Sequence, residues 1–274
     1  MRNPWNLVNK RSVFLLVYLS VNVAVAQVYN SSISSATAGT GRATVEAGDA
    51  AFLNPASLVH LRGRYLWSSF ADDELAISLS DNTPETVIPA ALSYFKKRDK
   101  ISTGELNQHN FSMSLSEFVI DKVSFGVTGH YLEQKLPNSS YRQINGDLGV
   151  MYTPRPHVGL ALVAYNVFGE KNDIPKELRK KFHLGAGFNY IYKNVARFRL
   201  DATSESVFMA GLETYATPFL ITRFGYQNDI IDKRELLTAG LGFKGPRFGL
   251  HYAYQGGQQS SADYRHSVDL EIPF

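Results

Sequence analysis

The chain has 274 residues, 19% charged and 44% hydrophobic, a balance that excludes both a disordered polymer and a helical membrane protein. It has no cysteine, so neither a disulfide framework nor thiol chemistry is available. Arg2, Lys10 and Arg11 fall in the first 26 residues with no acid; removing these three from the 28 basic residues leaves 25 against 25 acidic ones, which gives no footing for a nucleic-acid partner.

Met1–Ala26 reads as a secretory signal peptide. The three basic residues form its n-region, Val13–Val25 its apolar stretch, and Ala24-Val25-Ala26 a small-residue cleavage site, so Gln27 is the expected mature N-terminus. No cysteine follows the site, which excludes a lipoprotein signal.

Ser35–Leu61 follows and is built from small residues, among them Ala36, Ala38, Gly39, Gly41, Ala43, Ala47, Gly48, Ala50 and Ala51. It has too little apolar bulk to form a core of its own, and it breaks at Asn54-Pro55-Ala56. We expect it to pack inside the structure formed by the rest of the chain, as a short helical plug over residues 27–62. Pro55 pushes Asn54 out of the helical region, and the Asn54 side chain can tie the resulting turn. Arg42, Glu46 and Asp49 are spaced four and three apart and would share one face of a helix, able to pair locally. The sharper expectation is that they pair with lumen charges such as Arg199 or Asp201 and latch the plug.

From residue 63 onward the pattern is strand after strand. Expected strands are Arg64–Phe70, Leu75–Ser80, Ile88–Lys96, Gln108–Phe118, Val123–Glu133, Tyr141–Thr153, His157–Val167, Lys181–Ile191, Val195–Ser204, Val207–Ala216, Phe219–Gln227, Leu236–Phe243, Phe248–Gln255 and His266–Ile272. In Asn110–Ser116, Phe111, Met113 and Leu115 alternate with Ser112, Ser114 and Ser116. The same two-residue period puts His130, His183 and His251 on a polar face opposite Tyr131, Leu184 and Leu250. One apolar face and one face of Ser, Thr, Gly, Asn and His is what a barrel wall between lipid and a polar lumen requires. Connections alternate between short (Val119–Lys122, Pro154–Pro156, Tyr192–Asn194) and longer (Lys97–Asn107, Gln134–Ser140, Phe168–Lys180), as in barrels with short periplasmic turns and longer outer loops. The expected fold is therefore an all-β transmembrane antiparallel barrel of about fourteen strands over residues 63–274, with both ends at the periplasmic rim. At the C-terminus Val268, Leu270, Ile272 and Phe274 alternate with polar residues and the chain stops on an aromatic.

Gly39–Ala56 carries the pattern G-x-x-x-A-x-x-x-D-A-A-x-x-x-N-P-A, with Arg42, Glu46, Asp49, Asn54 and Pro55 inside it. It resembles the N-terminal hatch of FadL-type outer-membrane transporters of hydrophobic compounds, and equally the related PorV/PorQ-type barrels of a protein-secretion apparatus. The terminal Phe274 strand resembles the assembly signal of outer-membrane barrels. The resemblance implies the outer membrane of a Gram-negative-type bacterium and contact with outer-membrane lipid, lipopolysaccharide and the barrel-assembly machinery. It also implies either a hydrophobic small-molecule ligand such as a fatty acid, moving passively, or a secretion-machine protein partner. The outer loops are shorter than a dedicated capture site needs, which keeps the second alternative open.

No chemistry competes with these readings. Gly39-Thr40-Gly41-Arg42-Ala43-Thr44 is a broken glycine fingerprint with no strand before it, and no His-Glu-x-x-His or cysteine ligand set exists. No enzyme, cofactor or metal is expected, and the three lumen-phase histidines read as polar wall residues. Glu170–Lys181 is expected to be a solvated outer loop, with Lys176, Arg179, Lys180 and Lys181 available to lipopolysaccharide phosphates.

Overall fold

The computed structural model describes residues 29–101, 104–257 and 264–274; the expected signal peptide lies outside the described residues. Fourteen antiparallel strands close into one barrel: β1 Gly63–Ala71, β2 Glu74–Asn82, β3 Ala90–Ile101, β4 Gly104–Ile120, β5 Val123–Leu136, β6 Ser139–Arg155, β7 Val158–Tyr165, β8 His183–Tyr192, β9 Ala196–Thr203, β10 Val207–Tyr215, β11 Leu220–Asp229, β12 Arg234–Lys244, β13 Gly249–Gly257 and β14 Arg265–Pro273. Each pairs with its sequence neighbours, and β1 closes on β14 from Tyr65↔Pro273 to Ala71↔Ser267. Every expected strand is present, and the barrel begins and ends on one rim.

The alternation of residue types becomes an inside and an outside. Phe111, Met113, Leu184, Leu250 and Val268 are exposed on the outer surface, while Ser112, Ser114, Ser116, His183 and His251 are buried in the lumen. An exposed apolar row on every strand is costly in water and favourable in lipid, so the pattern defines a membrane-spanning wall. Closure leaves no unpaired strand edge in the hydrocarbon.

On one side the wall is taller than the sequence pattern suggests. Expected loops 97–107 and 134–140 are largely strand, with Lys97 opposite Gln108 and Lys135 opposite Ser140. Their charged and amide side chains lack the lipid-facing signal, yet the backbone ladder continues because each strand has a partner. Beside them β7 is short, so the upper part of β6 has no strand neighbour on that side.

The segment between β7 and β8 fills this gap; most of Glu170–Lys181 is exposed as expected, but Ile174 and Leu178 are buried. It folds against β6, with Val167 N–H donating to Gly146 O at 2.8 Å and Gln143 Nε2 to Leu178 O at 2.9 Å. A 3-10 turn at Lys176–Leu178 places Leu178, with Ile174, in a buried cluster with Leu106 of β4. Arg179 is occupied within the loop, its Nε donating to Ile174 O at 2.7 Å. Lys180 faces the lumen, so Lys176 and Lys181 are the two of the four cations left exposed to the surroundings.

Candidate functional site

The lumen is occupied by the chain's own N-terminal segment. Among its described residues the regular pieces are α1 (Ser32–Ala36), α2 (Ala47–Ala50) and a 3-10 helix over Pro55–His60. The segment winds across the interior, with α2 against β1 and β2. α1 lies on β12 to β14, Gly39 meets Met209 of β10, Ala43 reaches β7 and β8, and Asn54–Ala56 sits on β5 and β6.

Small plug residues face glycines of the wall. A methyl group at Gly211 would lie 2.6 Å from Thr37 Cβ, and one at Gly225 2.5 Å from Ala38 N. One at Gly159 would lie 2.5 Å from Ala43 O, and one at Gly149 would collide with Asn54 Oδ1. These wall glycines supply room rather than flexibility, letting two backbones approach closely. In the plug, Gly39 and Gly41 have φ of +85° and +153°, which side-chain-bearing residues rarely adopt, so the turn there requires glycine.

An irregular backbone buried in a membrane barrel has to find hydrogen-bond partners. The polar face of the wall supplies them. Asp269 accepts from Ser32 N–H at 2.7 Å and Ser32 Oγ at 2.6 Å. Thr238 Oγ1 donates to Ala36 O at 3.0 Å, Tyr165 OH to Leu53 O at 2.6 Å and Ser124 Oγ to Ala56 O at 2.8 Å. Within the plug, Asn54 ties its own turn: its Nδ2 donates to Arg42 O at 2.7 Å and its Oδ1 accepts from Ala56 N–H at 3.0 Å.

Charge pairing between plug and wall takes a specific form. Asp201 Oδ2 on β9 accepts from Gly41 N–H, Arg42 N–H and Arg42 Nη1, each at 3.0 Å. Arg42 also lies over the Tyr165 ring. Glu46 pairs with Arg197 and, at 3.3 Å, with Arg199. Arg199 and Arg223 both meet Glu213, at 3.1 and 2.6 Å, and Arg223 Nη1 contacts His251 Nδ1 at 3.2 Å.

The sequence-derived set therefore divides. Arg42 and Glu46 reach Asp201 and Arg199. They do so from a turn and from the position before α2, not from a shared helical face, and they do not pair with each other or with Asp49. Asp49 is buried inside α2 with neither carboxylate oxygen hydrogen-bonded. Arg197, Glu213 and Arg223 were missed, although their lumen-phase positions on β9, β10 and β11 mark them as inward charges. Tyr29 was also missed. It packs on Phe52 and Phe95 with ring centroids 4.8 Å away in both cases, and on Trp67 at 5.7 Å, and no spacing rule links these four. At the rim, Val268 faces outward with Leu270 and Ile272 on the same face of β14, and Phe274 is exposed, its N–H donating to Arg64 O at 3.0 Å.

Above the plug lies a cavity of about 270 Å³, lined below by Asn30, Gly39 and Arg42 and above by Leu178, Arg179 and Lys180 of the β7–β8 loop.

Solved structures share this architecture. The chain superposes on the CymD monoaromatic hydrocarbon channel with a TM-score of 0.70 and 12% identity, over 89% of this chain and 97% of that one. It superposes on the Ralstonia pickettii toluene transporter TbuX with a TM-score of 0.66 and 14% identity, over 89% and 98%. A Pseudomonas aeruginosa FadL homologue gives 0.65 and 11%, over 89% and 98%. The fold is thus shared with these solved barrels, a FadL homologue among them, in keeping with the expectation from the hatch pattern. No family model and no curated protein matches the sequence.

Proposed function

We propose that the protein is an outer-membrane channel through which small hydrophobic molecules pass without an energy source, and that it is not an enzyme. The observation that carries this reading is the combination of a lumen plug with an internal cavity above it, in a barrel that matches hydrocarbon channels over nearly the whole of both chains. Cargo enters the cavity beside the β7–β8 loop. Because the plug crosses the lumen, onward movement requires the plug to rearrange or the wall to open. In this reading Gly39, Arg42, Glu46, Asn54, Pro55 and Ala56 seat the plug. Val268, Leu270, Ile272 and Phe274 serve as the assembly signal read by the barrel-assembly machinery.

A second reading, a PorV/PorQ-like partner or anchor of a secretion machine, is favoured by one observation: the plug lies so close to wall glycines that a methyl group added at Gly126, Gly149, Gly159, Gly211 or Gly225 would overlap it. Uptake of radiolabelled toluene into liposomes containing the purified barrel tests the two. Uptake above that of protein-free liposomes supports the channel. Equal uptake, with a stoichiometric protein co-purifying from native membranes, supports the anchor.

A further inference from the structure

Two cavities meet above the plug. The larger, described above, adjoins a smaller one of about 80 Å³, and Phe95, Gln108 and Lys180 line both. One wall of the smaller cavity is aromatic, formed by Tyr29 and Phe52 of the plug with Phe95 of β3. At the junction stands Lys180, whose side chain has no hydrogen bond or ion pair with any described residue.

Other cations around the chamber are matched. Arg42 holds Asp201 at 3.0 Å, Lys97 holds Asp99 at 3.1 Å, and Arg179 faces Glu170 at 3.6 Å. The acid of the smaller cavity is also engaged: Asp147 accepts from Asn166 N–H at 2.8 Å and faces His130 at 3.5 Å. Glu177 and Glu205 line only the larger cavity. Burial, reinforced by Lys97, pushes the Lys180 ammonium down to about 8, so it still carries charge at neutral pH. Asp99 of the larger cavity acts on this ammonium through space but is itself held by Lys97. A partly desolvated ammonium beside an aromatic wall, with no carboxylate in ion-pair contact, is suited to an anion supplied from outside.

We propose that this double chamber binds a compact aromatic carboxylate, its carboxylate on Lys180 and its ring against Tyr29, Phe52 and Phe95. An apolar cavity of roughly 150 Å³ accommodates benzene, so the smaller cavity takes part of the ring and the junction takes the rest with the carboxylate. Flat aromatic faces favour a ring over an alkyl chain of equal area. As a statement about cargo the inference rests on the channel reading; as a statement about binding it stands alone.

The test uses the full barrel in detergent with radiolabelled benzoate as the probe, measured by equilibrium dialysis. Saturable binding is expected, weakened about tenfold or more by Lys180→Met, the scale of one charge-assisted hydrogen bond. Lys180→Arg, which keeps the charge, should restore it, and Phe95→Ala should weaken it. An unchanged heat-modifiable gel shift and an unchanged melting temperature in Lys180→Met show that this variant is folded. Absence of saturable benzoate binding, or equal binding by wild type and Lys180→Met, overturns the proposal. Toluene uptake without benzoate binding overturns it alone; benzoate binding without toluene uptake overturns the channel reading alone.

Discussion

Asp201→Ala is the perturbation that bears most directly on how the plug is held. One oxygen of this carboxylate accepts from two plug backbone N–H groups and from the Arg42 guanidinium, all at 3.0 Å. Both partners of the ion pair are buried. Removing one member of a buried pair leaves the other uncompensated and costs about 3–5 kcal/mol. Arg42 borders the 270 Å³ cavity, where water can relieve part of that cost, so the lower end applies. About 3 kcal/mol shifts the ratio of seated to unseated plug by roughly two orders of magnitude. The chain has no cysteine, so Thr40→Cys, at a fully buried plug position, provides a single reporter thiol. Its maleimide labelling rate in detergent should rise about a hundredfold when Asp201→Ala is added. Adding Arg42→Met as well should recover part of the protection, because neither charge is then left alone. A labelling rate within about twofold of the Thr40→Cys parent would show that this carboxylate does not hold the plug, since that corresponds to well under 1 kcal/mol.

Three further outcomes follow from the same packing. Gly126→Ala should lower thermal stability by about 1–3 kcal/mol, because its methyl group would meet the Pro55–Ala56 backbone, whereas Gly129→Ala, with nothing within 4 Å, should be neutral in the same melts. Burial pushes the Asp49 carboxyl up to about 7, so the folded protein keeps this proton where the unfolded chain has lost it; stability should fall as pH rises from about 4 to about 7. Asp49→Asn should flatten that slope in melts at pH 5 and pH 8, and an identical slope in the variant would refute the assignment. Phe274→Ala should reduce the folded, heat-modifiable fraction recovered from cell envelopes while leaving the melting temperature of purified barrel unchanged, since this exposed rim residue packs on little.

Much of the fold was legible because a barrel wall writes its inside and outside into alternate residues. Phe111, Met113 and Leu115 against Ser112, Ser114 and Ser116 already placed lipid and lumen, and strand count and end positions followed from fourteen such runs. The hatch was legible as well, because a segment so poor in apolar bulk and so rich in Gly and Ala has to be covered by something else. Lumen-phase charges such as Asp201 and Arg199 were identifiable as partners for Arg42 and Glu46, since buried charge in a membrane protein needs a counter-charge.

Which partner each group received was set by packing across the lumen and not along the chain. Asp49 has the same composition signal as Glu46, yet neither of its carboxylate oxygens finds a hydrogen-bond partner. The β7–β8 loop reads as polar and solvated, but the height difference between β6 and β7 leaves unpaired backbone that draws Ile174 and Leu178 inward, and Lys180 with them. The cluster of Tyr29, Phe52, Trp67 and Phe95 joins positions far apart in the chain and has no local signature. Alternation is a nearest-neighbour property of one strand and can be read along the chain; pairing across a lumen depends on how strands and plug are arranged around it, and that is set only when the barrel closes.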